Sequence, residues 1–270
     1  MQNEDLNFFR EWFSNYVNDF SSADSLIQDN IEMKVEHTAK VCENILTLAK
    51  SENLGDEGCW LAETLALFHD LGRFEQFTKY RTFKDSESEN HALLGIKILK
   101  GKEILSRLSR KEENLILKAI EYHNLKEIPE RKFDTQELLF YSKLIRDADK
   151  LDILRLISEN YDEDGNIRNP ALEIYLPDTS GCSESVFRDV LNYRMAEMRD
   201  VKNLNDIKLL RLSWVFDINF PETFSILKKH KYLDTIISSM PRTKETCIIR
   251  KHLDDYLNKA EKNYHENVDF

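Results

Sequence analysis

Leu65-Ala66-Leu67-Phe68-His69-Asp70-Leu71-Gly72-Arg73 is an apolar run that ends in an imidazole and a carboxylate side by side, followed by a glycine and a cation. Leu61, Leu65 and Phe68 recur at helical spacing, which predicts a buried helix over about 57–70 closed by His69 and Asp70. Gly72 reads as the residue that turns the chain out of that helix. Two ionisable groups at the buried end of a helix are costly unless compensated. Hydrogen bonds compensate in part. A bound metal ion compensates more fully, because imidazole and carboxylate are both good ligands. Whether a metal belongs here therefore depends on further ligands elsewhere in the chain.

The rest of the chain keeps the same 3.6-residue rhythm, and only 7 glycines and 5 prolines interrupt 270 residues, which points to an all-α protein. Leu6, Phe9, Trp12, Phe13, Tyr16, Val17 and Phe20 form an amphipathic helix over about 4–20 that is expected to lie on the core. Over about 31–50, Val35, Ala39, Val41, Ile45 and Leu48 read as an apolar stripe, with His37 near the start. Residues 73–90, with Arg73, Phe74, Phe77, Lys79, Tyr80, Arg81, Phe83 and Lys84, read as a connection with two equal readings: one that holds a phosphate and stacks on a base, or a surface loop whose aromatics cover the core. Asn90 offers a cap for a helix over about 89–100 that begins with His91, and His123 ends a helix over about 110–124. In the helix expected over about 135–159, Asp149 interrupts the stripe Leu138, Leu139, Ser142, Ile145 and Leu156, with Lys150 beside it and Asp152 one turn on. Asp162-Glu163-Asp164-Gly165 reads as a turn, and helical rhythm resumes over about 184–264. The expected organisation is an N-terminal helix (1–29), a core (30–160) and a helical C-terminal extension (161–270).

Acidic residues outnumber basic ones, 49 to 38, for a net charge of −11, which argues against a duplex nucleic-acid partner but leaves a small anionic ligand open. Cys42, Cys59, Cys182 and Cys247 lack paired ligand spacing and read as reduced thiols. The first residues do not resemble a secretory signal, and no apolar run approaches the roughly 20 residues that cross a bilayer. A cytoplasmic protein without a membrane partner is expected.

His37, His69-Asp70, His91, His123 and Asp149 fall on five successive helical segments, so packed helices could converge them on one cavity. In these residues, with Leu71-Gly72-Arg73, Gly95 a turn after His91, and Ala148-Asp149-Lys150-Leu151-Asp152, the chain resembles the HD-domain superfamily of metal-dependent phosphohydrolases over about 30–157. The resemblance implies an all-α HD-domain bundle with one or two divalent metal ions. His37, His69, Asp70 and Asp149 would hold the first; His91 and His123 would serve the second, with Asp70 bridging. Nitrogen and carboxylate donors without thiolate suit Mn, Fe, Co, Ni, Mg or Zn.

Asp70 and Arg73 are the implied catalytic residues, and Arg73, Lys150, Arg81 and Lys79 are candidates for binding a small phosphorylated substrate such as a nucleotide. Two departures withhold a particular substrate. The Gly-Tyr-Pro signature of cyclic-di-GMP phosphodiesterases is missing, with Tyr122 where that group often has a histidine. The acidic stretch that follows the His-Asp pair in (p)ppGpp hydrolases is also absent. A dinuclear-iron oxygenase on the same ligands, or a nucleotide sensor without turnover, are the alternative readings, and residues 161–270 are left to cap the cleft or form a homodimer face.

Overall fold

Capping and burial patterns account for where each helix begins and which side it buries. The computed structural model describes residues 1–129, 135–161 and 167–266, with the side chains of 261–266 excepted. The turn read at 162–165 therefore lies outside the described residues. Every named element is helical, and among the described residues the only strand-like feature is one isolated bridge, Tyr161 to Ile167. The chain divides into two compact units, Met1–Asp152 and Ile153–Phe270.

The first unit opens with α1 (Asn3–Asn18), whose Leu6, Phe9, Phe13, Tyr16 and Val17 are buried. Phe9 and Trp12 meet Phe68 edge-on, with ring centroids 5.5 and 5.9 Å apart. Fully burying a side chain such as Phe9 contributes about 2–3 kcal/mol. Helix α2 (Ser25–Ser51) starts earlier than its apolar pattern suggests, because Asp24 caps the backbone N–H groups of Leu26 and Ile27. Its buried face also differs from the expected stripe. Val35 and Ala39 are exposed, while Ile31, Lys34, His37, Thr38, Val41, Ile45 and Leu48 face inward. The inward face is thus partly polar, and apolarity alone does not locate it.

Helix α3 (Asp56–Phe68) is buried on all sides from Leu61 to Phe68, as expected of a central helix. The segment after it is not a loop. Residues Gly72–Tyr80 form α4, with Phe74 and Phe77 one turn apart and fully buried, and Arg81 ends it in the left-handed conformation. Asp85–Glu87 then make a short 3-10 turn. The expectation of an open connection over 73–90 fails because the two phenylalanines supply a helical apolar face of their own.

Gly72 likewise opens α4 and does not close α3 with a left-handed turn. Its lack of a side chain serves a close approach: a Cβ there would stand 2.2 Å from the carbonyl oxygen of His91 and 2.8 Å from the amide nitrogen of Gly95. A Cβ on Gly95 would in turn meet the Gly72 nitrogen at 3.3 Å. This glycine–glycine crossing lets the start of α4 touch α5 (His91–Gly101), which brings Asp70 beside His91.

Asn90 caps α5, and a Ser109/Glu112 capping box opens α6 (Arg110–His123). Helix α7 (Gln136–Glu159) follows, and the boundary between the two units falls within it. Asn44 of α2 donates to the Ala148 carbonyl at 3.2 Å, which fixes the turn of α7 that carries Asp149.

The second unit contains α8 (Glu184–Leu191), α9 (Leu204–Ser213), α10 (Pro221–His230), α11 (Tyr232–Ser238) and α12 (Lys244–Glu266). Pro221 occupies the first turn of α10, where its missing N–H costs nothing. All ten residues of α9 are buried, including Arg211, which pairs with the buried Glu173 at 2.5 Å. His252 stacks on Tyr193 and His230 on Tyr232. No described helix is long and apolar enough to cross a membrane.

Candidate metal centre

All six residues expected as ligands lie in the first unit, and the helices bring them together around Asp70. His69 and Asp70 leave the end of α3, His37 comes from the middle of α2, His91 from the first turn of α5, His123 from the last residue of α6, and Asp149 from α7. The four imidazoles and Asp70 are buried, and the Asp149 side chain is 14% exposed.

The two oxygens of Asp70 face two different groups. On the Oδ2 side, His37 Nε2 is at 3.4 Å and His69 Nε2 at 3.6 Å. Asp149 Oδ1 completes this group, 3.2 Å from His37 Nε2 and 3.5 Å from His69 Nε2. On the Oδ1 side, His91 Nε2 is at 3.3 Å and His123 Nε2 at 3.8 Å.

Each imidazole is oriented through its other nitrogen. His37 Nδ1 faces Asp152 Oδ2 at 2.7 Å, and His91 Nδ1 faces Asp85 Oδ2 at 2.8 Å. His69 Nδ1 faces the Ala66 carbonyl and His123 Nδ1 the Ile120 carbonyl, both at 2.7 Å. Carbonyl and carboxylate oxygens only accept, so Nδ1 carries a proton in all four rings and Nε2 is the atom each ring turns toward the cavity. Yet His37 Nε2 and His69 Nε2 are 3.3 Å apart, and His91 Nε2 and His123 Nε2 are 3.1 Å apart. Two imidazole nitrogens that close need a positive charge between them, a shared proton or a metal ion, since two bare lone pairs would repel. Asp149 Oδ1 is also buried with no hydrogen-bond partner. Donors around one ion with bonds of about 2.1 Å lie roughly 3.0–3.4 Å apart. Most of the separations are close to that spacing, and His37, His69 and Asp70, and Asp70, His91 and His123, form two groups that could hold a metal ion, with the orphaned Asp149 oxygen beside the first.

Charge is distributed unequally. Burial and nearby Lys34 press His37 toward its neutral form, but Asp149, Asp152 and Asp70 outweigh them and raise its pKa to about 10. Burial, joined by the charge of Arg73, lowers that of His91 to about 4 despite Asp85. Burial opposes ionisation of Asp70 and Asp149, yet both are held well below the usual carboxylate range, Asp70 chiefly by Lys34 and His69 and Asp149 by His37 and His69. Asp85 is held at about 2, against burial, by His91, Arg73 and Gln76.

The expected substrate-binding cations separate. Arg73 is inside the site: Nε is 3.5 Å from Asp70 Oδ1 and has no hydrogen bond, while Nη1 donates to Gln76 Oε1, the Phe83 carbonyl and Asp85 Oδ1. Lys150 is buried on α7. Arg81 and Lys79 are not brought in. Arg81 is exposed and bonded to Asp24 at 2.6 Å, and Lys79 is exposed and paired with Glu89 at 3.0 Å, because both lie near the solvent-facing end of α4.

Four residues that the pattern did not single out complete the site. Lys34 is buried and bonded to Asp70 Oδ2. Its signal was its place three residues before His37, on the same helix face. Asp152 stands three residues after Asp149, and its role showed only once His37 was seen against it. Asp85 sits in a 3-10 turn and has no helical signature. Arg146, buried in α7, donates to the carbonyls of Tyr122 (3.1 Å), His123 (3.2 Å), Leu125 and Lys126 (2.9 Å), closing the end of α6 and fixing His123.

A helical unit whose converging imidazoles and carboxylates form two donor groups on a shared aspartate has the chemistry of a site that could hold divalent metal ions. Residues 35–154 match the family model of the HD domain, and the chain carries an HD domain over that segment. HD domains are typically metal-dependent phosphohydrolases and bind divalent metals. No curated protein and no solved structure matches the chain significantly.

Proposed function

We propose that this chain is a metal-dependent phosphohydrolase acting on a small phosphate ester, a nucleotide or a metabolite of similar size. The observation that carries the reading is the convergence of four Nε2 atoms, each ring oriented through its Nδ1 partner, in pairs on either side of Asp70. A divalent ion held there, of the Mn, Fe, Co, Ni, Mg or Zn kind, supplies Lewis acidity toward a phosphoryl oxygen and an attacking water.

The chain's own groups do the rest. Asp70 ties the two donor groups into one site. Arg73 keeps Nη1 engaged on the scaffold while Nε points toward Asp70 without a bond, so its charge is preset where a phosphoryl oxygen would gather negative charge. Lys150 is the further cation retained as a candidate for substrate contact.

The test is a screen of phosphomonoesters, phosphodiesters and nucleotides with Mn²⁺-loaded protein. Hydrolysis by the wild type and its loss in Asp70→Ala are expected. Inertness across the panel at full metal loading would overturn the reading. A mixed-valence iron signal with oxygen consumption would replace it with an oxygenase.

A further inference from the structure

Asp70 is flanked by cations as symmetrically as by histidines. Lys34 Nζ bonds Oδ2, the oxygen facing His37 and His69. Arg73 Nε lies 3.5 Å from Oδ1, the oxygen facing His91. The ring of Phe83 joins the two cations: Lys34 Nζ is 5.6 Å and the Arg73 guanidinium carbon 5.7 Å from its centroid. Phe77 backs the same ring at 4.5 Å between centroids. The two charges are therefore seated on one aromatic platform, each facing a different oxygen of one carboxylate.

Among the described residues Asp70 is the one side chain that bonds the Lys34 ammonium, whose remaining contact is the face of Phe83. An ammonium has three protons to place, and a single carboxylate oxygen takes one of them. The arrangement cannot persist unchanged beside an occupied donor group. A divalent cation on Asp70 Oδ2, His37 and His69 competes with Lys34 for the same oxygen and repels its charge. The flexible four-carbon stem lets the ammonium move, whereas the planar fork of Arg73 is pinned by Gln76, the Phe83 carbonyl and Asp85. An anion bound at the metal centre would offer the displaced ammonium new acceptor oxygens.

We propose that Lys34 is a second phosphate-binding residue of this site, a mobile cation that exchanges Asp70 for a phosphoryl oxygen and works opposite the fixed charge of Arg73. This rests on the phosphohydrolase reading and deepens it. Phosphate would be gripped from the two sides of Asp70, one grip rigid and one adjustable.

The experiment uses the full chain loaded with Mn²⁺ and inorganic phosphate as the probe. Lys34→Met keeps the aliphatic stem and removes the charge; Lys34→Arg restores a charge. Metal content and phosphate affinity are measured on each by calorimetry, alongside thermal unfolding. Lys34→Met should bind Mn²⁺ as tightly as the wild type or tighter, since a competitor for Asp70 is gone. Its phosphate affinity should fall about tenfold to a hundredfold, the cost of a lost charged hydrogen bond. Lys34→Arg should recover most of that loss.

Unchanged phosphate affinity in Lys34→Met, with wild-type protein binding phosphate normally, overturns the role of Lys34 and leaves the phosphohydrolase reading standing. Loss of metal in both variants overturns it too, and makes Lys34 a support for Asp70. Wild-type protein that takes up Mn²⁺ but no phosphate overturns the functional reading and this inference with it.

Discussion

The two donor groups that meet at Asp70 are built from similar parts yet differ in charge. The His37–His69 group has its own carboxylate, Asp149, and a third one, Asp152, behind His37. The His91–His123 group has only its share of Asp70, with Asp85 behind His91 and the Arg73 guanidinium close by. The imidazoles register the contrast, His37 rising to about 10 and His91 falling to about 4. One group draws positive charge in and the other is only modestly attractive. The difference leads us to expect that two ions, if both are bound, would be held unequally: a tighter one in the carboxylate-rich group and a weaker, exchangeable one in the other.

Removing what the two groups share has the largest effect. Asp70→Ala should abolish tight binding of either ion and lower kcat/KM by about a thousandfold or more, several kcal/mol of lost stabilisation; metal analysis and turnover would check it. Substitutions on one side only should split the pair. His91→Ala should keep one tight equivalent of metal in a calorimetric titration, whereas His37→Ala should lose that tight equivalent. Equal losses in both would remove the asymmetry.

Gly72→Ala strikes the crossing that lets the two groups meet. Its new Cβ would stand 2.2 Å from the His91 carbonyl oxygen. A destabilisation of about 3 kcal/mol is expected in chemical denaturation, with the weaker metal equivalent lost first because α5 is the element displaced. The smallest effects belong to the orienting carboxylates. Asp152→Asn and Asp85→Asn should each lower metal affinity by about 10–100-fold, Asp152→Asn on the tight equivalent and Asp85→Asn on the weak one.

The same contrast shows what could be read before any coordinates. Asp149 and His69-Asp70 stood out because charge interrupts an apolar helical stripe. Asp85 did not, because a short 3-10 turn has no period against which a carboxylate is out of place. Lys34 was hidden by the expectation of an apolar face on α2. That face is in fact half polar, with Lys34, His37 and Thr38 buried while Val35 and Ala39 are exposed. Residues 73–90 read as a connection because their charges suggested one, yet Phe74 and Phe77, one turn apart, are enough to bury a helix there. Arg81 and Lys79 had the right charge for a phosphate but lie where solvent and nearby acids claim them.

The sequence by itself determined most of the helices, since periodicity and caps are local properties of the chain, and its ordered histidines and aspartates carried the family resemblance that named the candidate ligands. The tertiary structure alone decided which nitrogen of each imidazole faces the cavity, which oxygen of Asp70 serves which group, and which cations reach it. Those depend on contacts between residues far apart in the chain, such as Lys34 with Asp70, His37 with Asp152 and Gly72 with Gly95. A distance of that kind is set by how closely two backbones can approach, and no repeat along a single helix encodes it.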